Sequence, residues 1–476
     1  MAVREFDLIV IGSGSGLDVG VAAAESGLKV AIIEKGPMGG TCLNRGCIPS
    51  KMLIHSADIV EAVEMAPIFG VKVKGYEIDF PALVKRVSNS VDNDSNGIEE
   101  AFKQYPNPVL FKKECRFAGP KTLQVGDEVI KAEKILISSG TRPYVPPIKG
   151  LEGTGFMTSD EALRLTSQPK ELTIIGGGYI AAELAHFFGS LGTIINVVSR
   201  TKVLLAREDE EIAGLFTHLM SHRYNIFTGY EPITVSKKDG IFEITIQSTD
   251  KNPETKTLHS DQLLVAAGRI PNSDILDLPK TGVVADGEGY VMTDGYMETN
   301  VKGIFALGDA VGRYPFKHVA NYEAEIVYHN LLNPDNKTQV DYTAMPHAIF
   351  TSPQIASVGK TEQELKTSNT DYIIGRWNYI NTGMGEAIED QTGFVKFLLE
   401  RNTMKILGCH IIGTYASSLI HEVLVAMKLG GTAESIRGVV HIHPALSEVV
   451  KKATEYLYDP KHVHVHEHEH ENAQGD

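Results

Sequence analysis

Two cysteines, Cys42 and Cys47, lie five positions apart in the segment Gly39–Lys51, which reads GGTCLNRGCIPSK. In a straight α-helix their Cα atoms would lie about 8.6 Å apart, from the rise and radius of the helix, whereas a disulfide tolerates about 7 Å. We therefore expect a bend, for which Gly46 provides the backbone freedom, and a helix that begins near Ile48. A helix N-terminus next to Cys47 would lower the pKa of its thiol. The pair predicts redox chemistry.

A first glycine-rich turn follows an apolar strand near the start of the chain and opens a helix. Its glycines are Gly12, Gly14 and Gly16. Such a turn lets a pyrophosphate approach the helix N-terminus, and Glu34 ends the next strand, where a carboxylate can accept a hydrogen bond from a ribose hydroxyl. Leu17 departs from the usual fingerprint. The unit predicts a dinucleotide site.

A second unit of the same kind begins at residue 172. Its fingerprint positions are Gly176, Gly178 and Ala181. Ser199 stands where an acid would hold an unphosphorylated ribose, and Arg200 and Lys202 could neutralise a 2′-phosphate. The pattern favours NADP(H) over NAD(H), although a merely solvated basic loop is the plainer alternative.

Other strand ends carry candidate cofactor contacts. Two strands end at Gly140 and Gly268, and Asp309 follows a third buried strand, where a carboxylate can hold a sugar or ribityl hydroxyl.

Two acid–base combinations are candidates for catalysis. His443 has a carboxylate, Glu448, five residues further on, and a carboxylate can orient an imidazole and raise its basicity. Lys51 lies one helical turn past Cys47, and Glu183 lies on the helix of the second glycine-rich unit. If the two cofactors meet face to face, Lys51 and Glu183 would both reach the meeting point.

The composition excludes several classes of protein. The chain has 476 residues, is 42% hydrophobic and has a formal charge of −15, which argues against a general nucleic-acid binder. It has no apolar run long enough to span a membrane, and we expect a cytoplasmic enzyme. Four cysteines are too few for a secreted disulfide framework.

The pattern of strands and helices predicts an α/β fold with five regions. They are a first dinucleotide-binding region (1–149), a second (150–265), a return to the first (266–338), an α+β domain (339–456) and a disordered tail (457–476). The tail contains the only candidate metal ligands, for accessory binding: His462, His464, His466, His468 and His470.

These motifs together resemble the FAD-dependent pyridine nucleotide–disulfide oxidoreductases, over about residues 5–455. The resemblance implies two Rossmann-like dinucleotide-binding domains, the first for FAD and the second for NADP or NAD, and a C-terminal α+β domain that forms a homodimer.

The resemblance also implies roles for individual residues. Cys47 would be the thiolate beside the flavin and Cys42 the thiol that exchanges with substrate. Asp309 would hold the ribityl chain, and Lys51 and Glu183 would pair near the flavin N5.

His443, with Glu448 behind it, would serve the disulfide of the partner subunit, and its bond to Pro444 would be cis. Arg45 replaces the family's usual valine, which could lower a thiol pKa further, and Ala445 replaces its usual threonine.

The implied reaction passes electrons between NAD(P)H and a small dithiol or disulfide. Dihydrolipoamide is the first expectation for the substrate, with a 2-oxoacid dehydrogenase complex or a lipoyl protein as partner. An NADPH-dependent reductase of a mycothione- or glutathione-like disulfide is the alternative, and a non-catalytic redox sensor is a third. No cysteine follows Cys409, which disfavours mercuric and large thioredoxin reductases.

Overall fold

The computed structural model describes residues 3–461. The described residues form two compact units: unit 1 runs to Lys202 and resumes at Arg223–Asp341, and unit 2 contains Val203–His222 and the described residues from Tyr342 onwards. The tail histidines expected to bind metal lie outside the described residues.

The strands are β1 (Arg4–Ile11), β2 (Val30–Ile33), β3 (Val109–Phe111), β4 (Cys115–Gly119), β5 (Thr122–Val125), β6 (Glu128–Ile137), β7 (Thr141–Pro143), β8 (Glu171–Ile175), β9 (Ile194–Ser199), β10 (Asn225–Thr228), β11 (Tyr230–Lys238), β12 (Ile241–Ser248), β13 (Thr255–Ser260), β14 (Gln262–Val265), β15 (Arg269–Pro271), β16 (Ile304–Ala306), β17 (Pro346–Ile349), β18 (Gln354–Gly359), β19 (Tyr372–Asn378), β20 (Phe394–Glu400), β21 (Ile406–Gly413) and β22 (Leu457–Tyr458).

The α-helices are α1 (Gly16–Glu25), α2 (Gly40–Arg45), α3 (Cys47–Met65), α4 (Phe80–Gln104), α5 (Ser159–Ala162), α6 (Tyr179–Ser190), α7 (Glu210–Arg223), α8 (Lys317–Leu332), α9 (Glu362–Thr367), α10 (Gly383–Ala387), α11 (Ala416–Lys428), α12 (Ala433–Arg437) and α13 (Glu448–Glu455). Short 3-10 helices occupy Ala66–Phe69, Asn272–Leu276, Leu278–Lys280, Gly308–Ala310 and Tyr379–Asn381.

The first sheet of unit 1 has the order β3-β2-β1-β6-β5-β4, and β16 also pairs with β6. Its central strand β1 is parallel to both neighbours, with Val10 opposite Ile32 and Leu136. Leu8, Ile9 and Val10 are fully buried, as expected for parallel strands covered on both faces. The carboxyl ends of β1, β6 and β16 therefore lie at one edge, where parallel sheets bind ligands.

A second sheet, which is parallel throughout, has the order β10-β9-β8-β14, and β11, β12 and β13 form an antiparallel sheet beside it in the chain. Both predicted glycine-rich units are therefore strand–turn–helix–strand units whose two strands pair in parallel. The expected pair of Rossmann-like units is confirmed.

Unit 2 is built on a six-stranded antiparallel sheet of order β17-β18-β21-β20-β19-β22. Val423 on α11 and Val449 on α13 are buried in the same core as Phe397 of the sheet, so the expected α+β character is confirmed. Residues 203–222, which the sequence interpretation assigned to the second nucleotide-binding region, cluster with this unit. Among the described residues, no helix is long and apolar enough to cross a membrane.

Candidate functional site

The redox segment is a helix broken at one glycine. α2 ends at Arg45 and α3 begins at Cys47, while Gly46 between them has φ −139° and ψ −121°. A Cβ placed on Gly46 would lie 2.8 Å from the Thr41 carbonyl oxygen, so a larger residue would push the two cysteine-bearing turns apart. The expected bend is present, and α3 starts one residue before the predicted Ile48.

The two thiols are free and share a hydrogen bond. Cys47 donates to Cys42, which lowers the pKa of Cys42 to about 7 despite its partial burial. The pKa of Cys47 is raised, because it donates that hydrogen bond and its ionisation would place a second negative charge beside Cys42. The expectation that the helix start lowers the pKa of Cys47 is therefore wrong for the dithiol, because the hydrogen bond with Cys42 and burial raise that pKa.

Arg45, one of the two residues that depart from the family pattern, is not among the groups that most affect the pKa of Cys42. Its Nη1 lies 3.3 Å from Asp160 Oδ2, so its charge is paired. The cations that lower the pKa of Cys42 are Lys317 and Lys51. Lys317 begins α8 and donates to Ser15 Oγ in the first glycine-rich turn at 2.9 Å.

The predicted pairing of Lys51 with Glu183 is present. Lys51 Nζ lies 2.8 and 2.7 Å from the two carboxylate oxygens of Glu183. Glu183 is buried and Lys51 is partly exposed. The ion pair links α3, which begins with Cys47, to α6, which begins directly after Gly178.

The first glycine-rich turn is organised around Glu34. Its Oε2 accepts hydrogen bonds from Ser13 N at 3.0 Å and from Ser13 Oγ at 2.8 Å, and its Oε1 accepts one from Gly36 N. Gly12 has φ +101° and approaches the Ser138 carbonyl so closely that a Cβ would lie 2.4 Å from the oxygen. A Cβ on Gly14 would meet nothing within 4 Å, so this turn has a bare backbone facing open space, as a diphosphate requires.

The edge of the same sheet carries further polar groups. Asp309 Oδ2 accepts a hydrogen bond from Thr141 Oγ1, which also accepts one from Arg269 Nε, both at 2.8 Å. Ser139 Oγ and Asp160 Oδ1 are buried without a hydrogen-bond partner, and buried polar atoms of that kind are rare. A polyhydroxylated ligand such as the ribityl chain of FAD would satisfy them, so the residues present fit that cofactor.

Sequence reasoning identified Asp309 and Gly140 at this edge but missed three neighbours, Thr141, Arg269 and Asp160. A hydroxyl or guanidinium directly after a glycine that closely follows a buried strand, as at Gly140-Thr141 and Gly268-Arg269, is the signal that could have found two of them. Asp160 lies on the short helix α5 and carries no such signal.

The second glycine-rich turn also has room for a ligand. Gly176 has φ +133°, and a Cβ on Gly178 or Gly268 would meet nothing within 4 Å. Ala181 is buried in the first turn of α6, as close packing of the helix on its strand requires.

The basic residues after β9 lie in solvent. Ser199 is buried and its hydroxyl lies 2.8 Å from Thr201 Oγ1. Arg200 is exposed. Lys202 is 85% exposed and lies 3.9 Å from Asp250, a separation at which a surface ion pair contributes little. Both cations are therefore able to reorient toward a phosphate.

Unit 2 contains the predicted imidazole–carboxylate pair. His443 Nδ1 lies 3.0 Å from Glu448 Oε1, and the histidine side chain is 75% exposed. The hydrogen bond with His443 lowers the pKa of Glu448. The backbone N–H of Ala445 also donates to Glu448, at 3.1 Å, and the bond between His443 and Pro444 is cis, as the resemblance implied.

Within residues 3–461, no group of three or more histidine, cysteine or acidic side chains could hold a metal ion.

Comparison with known proteins shows to which family the chain belongs. Residues 6–324 match the family described as pyridine nucleotide-disulphide oxidoreductase, and residues 345–454 match its dimerisation domain. The chain belongs to this family. It is therefore an FAD-dependent oxidoreductase of the class that exchanges electrons between NAD(P)H and disulfides.

Two curated relatives are equally similar. Mycothione reductase of Mycobacterium tuberculosis (strain H37Rv) is 36% identical over 462 residues, which cover 95% of this chain and 99% of that protein. Mitochondrial dihydrolipoyl dehydrogenase of Dictyostelium discoideum is 36% identical over 474 residues, which cover 97% and 96%. A solved structure, the HOCl-induced flavoprotein disulfide reductase RclA from Escherichia coli, aligns with a TM-score of 0.83 at 26% identity and covers 94% of this chain and 99% of RclA.

Proposed function

We propose that this enzyme exchanges electrons between NADP(H) and a small disulfide through Cys42 and Cys47, with lipoamide and dihydrolipoamide as the substrate pair. The observation that carries the proposal is the hydrogen-bonded dithiol at the Gly46 bend, on the helix that also carries Lys51. A thiol with a pKa of about 7 is about half ionised at neutral pH, where a thiolate nucleophile is most effective.

Cys42 is the residue that attacks. Its thiolate forms a bond to one sulfur of the substrate disulfide, and the other sulfur leaves as a thiolate that takes up a proton. Cys47, after losing its proton, attacks Cys42 in the mixed disulfide, which releases the second substrate thiol and forms the Cys42–Cys47 disulfide. The substrate gains two electrons and two protons, and the protein dithiol is oxidised.

His443 is the proposed donor of the proton to the leaving sulfur. Glu448 holds Nδ1, so Nε2 is the nitrogen left to exchange a proton, and the exposed position of the ring suits a group that meets a substrate. We infer a homodimer in which His443 serves the cysteine pair of the other subunit. The dimerisation-domain match supports that inference.

The chemistry that FAD supplies when bound is two-electron exchange with a nicotinamide and with a disulfide. Lys51 and Glu183 are proposed to line the nicotinamide end, where the ion pair holds a positive charge on α3 and a negative charge on α6. The turns at Gly14 and Gly178 are proposed to hold the two diphosphates, and Glu34 and Asp309 to hold sugar hydroxyls of FAD.

The nucleotide preference rests on the end of β9. Ser199 offers no carboxylate to a ribose 2′-hydroxyl, while Arg200 and Lys202 are available to a 2′-phosphate. The same observation favours a second candidate function, the NADPH-dependent reduction of a mycothione- or glutathione-like disulfide, because such reductases draw electrons from NADPH.

Two further inferences concern the surroundings of the enzyme. Four cysteines in 476 residues suit a reducing compartment, and we infer a cytoplasmic location. If dihydrolipoamide is the substrate, the partner is a lipoyl protein or a 2-oxoacid dehydrogenase complex.

A kinetic panel tests the proposal. NADPH and NADH are each offered with lipoamide, glutathione disulfide and mycothione-type disulfides, and dihydrolipoamide is offered with NADP⁺ and NAD⁺. The highest kcat/KM is expected for lipoamide with NADPH. A highest value for a mycothione-type disulfide would select the second candidate, and no turnover of any disulfide would refute both.

A further inference from the structure

A buried histidine lies between the two helices that carry Lys51 and Glu183. His186 on α6 is 1% exposed. Its Nε2 lies 2.9 Å from Asp58 Oδ1 on α3, and its Nδ1 lies 3.1 Å from Ser190 Oγ, one turn further along α6. Both ring nitrogens are therefore engaged in the interior.

The carboxylates around the ring favour its protonated form. Nε2 lies 2.9 Å from Asp58 Oδ1, which as a carboxylate can only accept from it. Nδ1 lies 3.4 Å from Glu61 Oε1, the oxygen to which Ser190 Oγ donates at 2.7 Å. Because each ring nitrogen faces a carboxylate, the surroundings favour an imidazolium. Burial alone would lower the pKa of His186, but its hydrogen bonds with Asp58 and Glu61 raise the pKa above the ordinary value.

The charges around His186 balance only with the ring protonated. Asp58 and Glu61 supply two negative charges from α3. Arg223 supplies one positive charge, is ion-paired with Glu61 and donates to Ser190 Oγ at 3.2 Å. Tyr224, a further titratable group here, stays neutral, because burial raises its pKa. A protonated His186 therefore matches the two carboxylates with two cations, whereas a neutral ring would leave Asp58, which is 44% exposed, to the solvent alone.

We propose that His186 is a positioning residue that clamps α6 onto α3 as an imidazolium and so holds Glu183 against Lys51. Asp58 lies two turns after Lys51 on α3, and His186 lies one turn after Glu183 on α6. The contact between His186 and Asp58 therefore fixes how α3 and α6 are aligned next to the ion pair. It also fixes the position of α6, which begins directly after the turn at Gly178. The role of this ion pair at the nicotinamide end rests on the proposed function, but the state of the ring does not.

The protonation is tested on the full-length holoenzyme with ¹⁵N-labelled histidine. Both ring nitrogens of His186, assigned by their loss in His186→Gln, are expected at protonated ¹⁵N shifts from pH 6 to pH 8. His55, which is exposed on α3, serves as the internal comparison. A neutral ring at pH 7 would overturn the proposal.

The positioning role is tested by reduction of a dichlorophenol dye with NADPH, which does not require the cysteine pair. For His186→Gln, kcat/KM for NADPH is expected to fall about 10- to 100-fold, the scale that follows from small misplacements near a reacting centre. Iodoacetamide reactivity of Cys42 is expected to change far less, because the largest cause of its low pKa is the hydrogen bond from Cys47.

Asp58→Asn removes the negative charge next to His186 Nε2 at a partly exposed residue. In the same assay we expect kcat/KM for NADPH to fall about tenfold, since the contacts of His186 Nδ1 remain. His55→Gln should behave as wild type. Equal kcat/KM for wild type, His186→Gln and Asp58→Asn would overturn the positioning role of His186. A loss in Cys42 reactivity equal to the loss in dye reduction would also overturn it, because such a loss indicates general damage to the fold. If wild type reduces the dye but no disulfide, the proposed function fails while these comparisons still decide the role of His186.

Discussion

Replacing Cys47 by alanine tests the order of the two thiols. In the dithiol, Cys47 donates a hydrogen bond to Cys42, and this bond is the largest cause of the low pKa of Cys42. Alanine cannot donate, so the pKa of Cys42 should rise from about 7 toward the ordinary value of 9.0. Lys51 and Lys317 remain and oppose the rise, whereas partial burial of the sulfur supports it.

The size of the effect follows from two opposing consequences. If the pKa rises from 7 to 9, the thiolate fraction at pH 7 falls from about one half to about 1%, or about 50-fold. The more basic thiolate is also the better nucleophile, by about eightfold for a Brønsted coefficient near 0.45. We therefore expect alkylation at pH 7 to slow only about sixfold, while the midpoint of its pH profile moves by up to about two pH units.

The assay is iodoacetamide alkylation of the reduced enzyme between pH 5 and pH 10, with modification of Cys42 followed by mass spectrometry. The other cysteines should not interfere, because burial raises the pKa of Cys115 to about 12 and also raises the pKa of Cys409. Cys47→Ser retains a hydroxyl donor, so the pKa of Cys42 should stay partly lowered. Cys115→Ala should leave the midpoint of the pH profile unchanged. A wild-type midpoint near pH 9, or the same midpoint in Cys47→Ala, would refute the reasoning.

The remaining predictions concern the nucleotide, the proton donor and the bend. Arg200→Ala should lower kcat/KM for NADPH by about ten- to a hundredfold, as expected for a lost charge-assisted contact, and hardly change that for NADH; a wild-type preference for NADH would contradict it. His443→Gln should slow disulfide turnover by about 10²–10⁴-fold but leave dye reduction by NADPH intact. Glu448→Ala should slow disulfide turnover less, because the imidazole remains. Mixing Cys42→Ser with His443→Gln subunits should restore part of the activity if each site uses two chains; heterodimers no more active than either parent would contradict the inter-subunit reading. Gly46→Ala should lower the Tm measured by thermal unfolding, because its Cβ would lie 2.8 Å from the Thr41 oxygen; an unchanged Tm would show that the close approach is relieved at no cost.

The architecture was accessible from sequence because its signals are local. Apolar strands such as β1 and β8, each followed by a glycine-rich turn and a helix, define a parallel βαβ unit wherever they occur. The strand alternation after residue 340 likewise indicates an antiparallel sheet. The compact unit that takes in residues 203–222 was not predicted, because that assignment depends on packing between segments far apart in the chain. One such contact joins buried Lys396 and Asp209, 2.8 Å apart.

Residue types and short spacings determined most of the candidate site. The cysteine pair, the bend at Gly46, the two glycine-rich turns and the pairing of His443 with Glu448 all lie within segments of a dozen residues or fewer, where backbone geometry leaves few alternatives. The tertiary structure alone decided the electrostatics. Which thiol is more acidic and which cation acts on it depend on distances of a few ångströms between side chains from different elements.

Arg45 and Lys317 illustrate that division. Arg45 is adjacent to the cysteines in sequence, yet its charge is paired with Asp160. Lys317 lies 275 residues beyond Cys42 in the chain, yet its charge lowers the pKa of Cys42. The sequence by itself determined which chemical groups the site contains. Only the fold decided their partners, because Coulombic interactions depend on separation in space and on burial rather than on position along the chain.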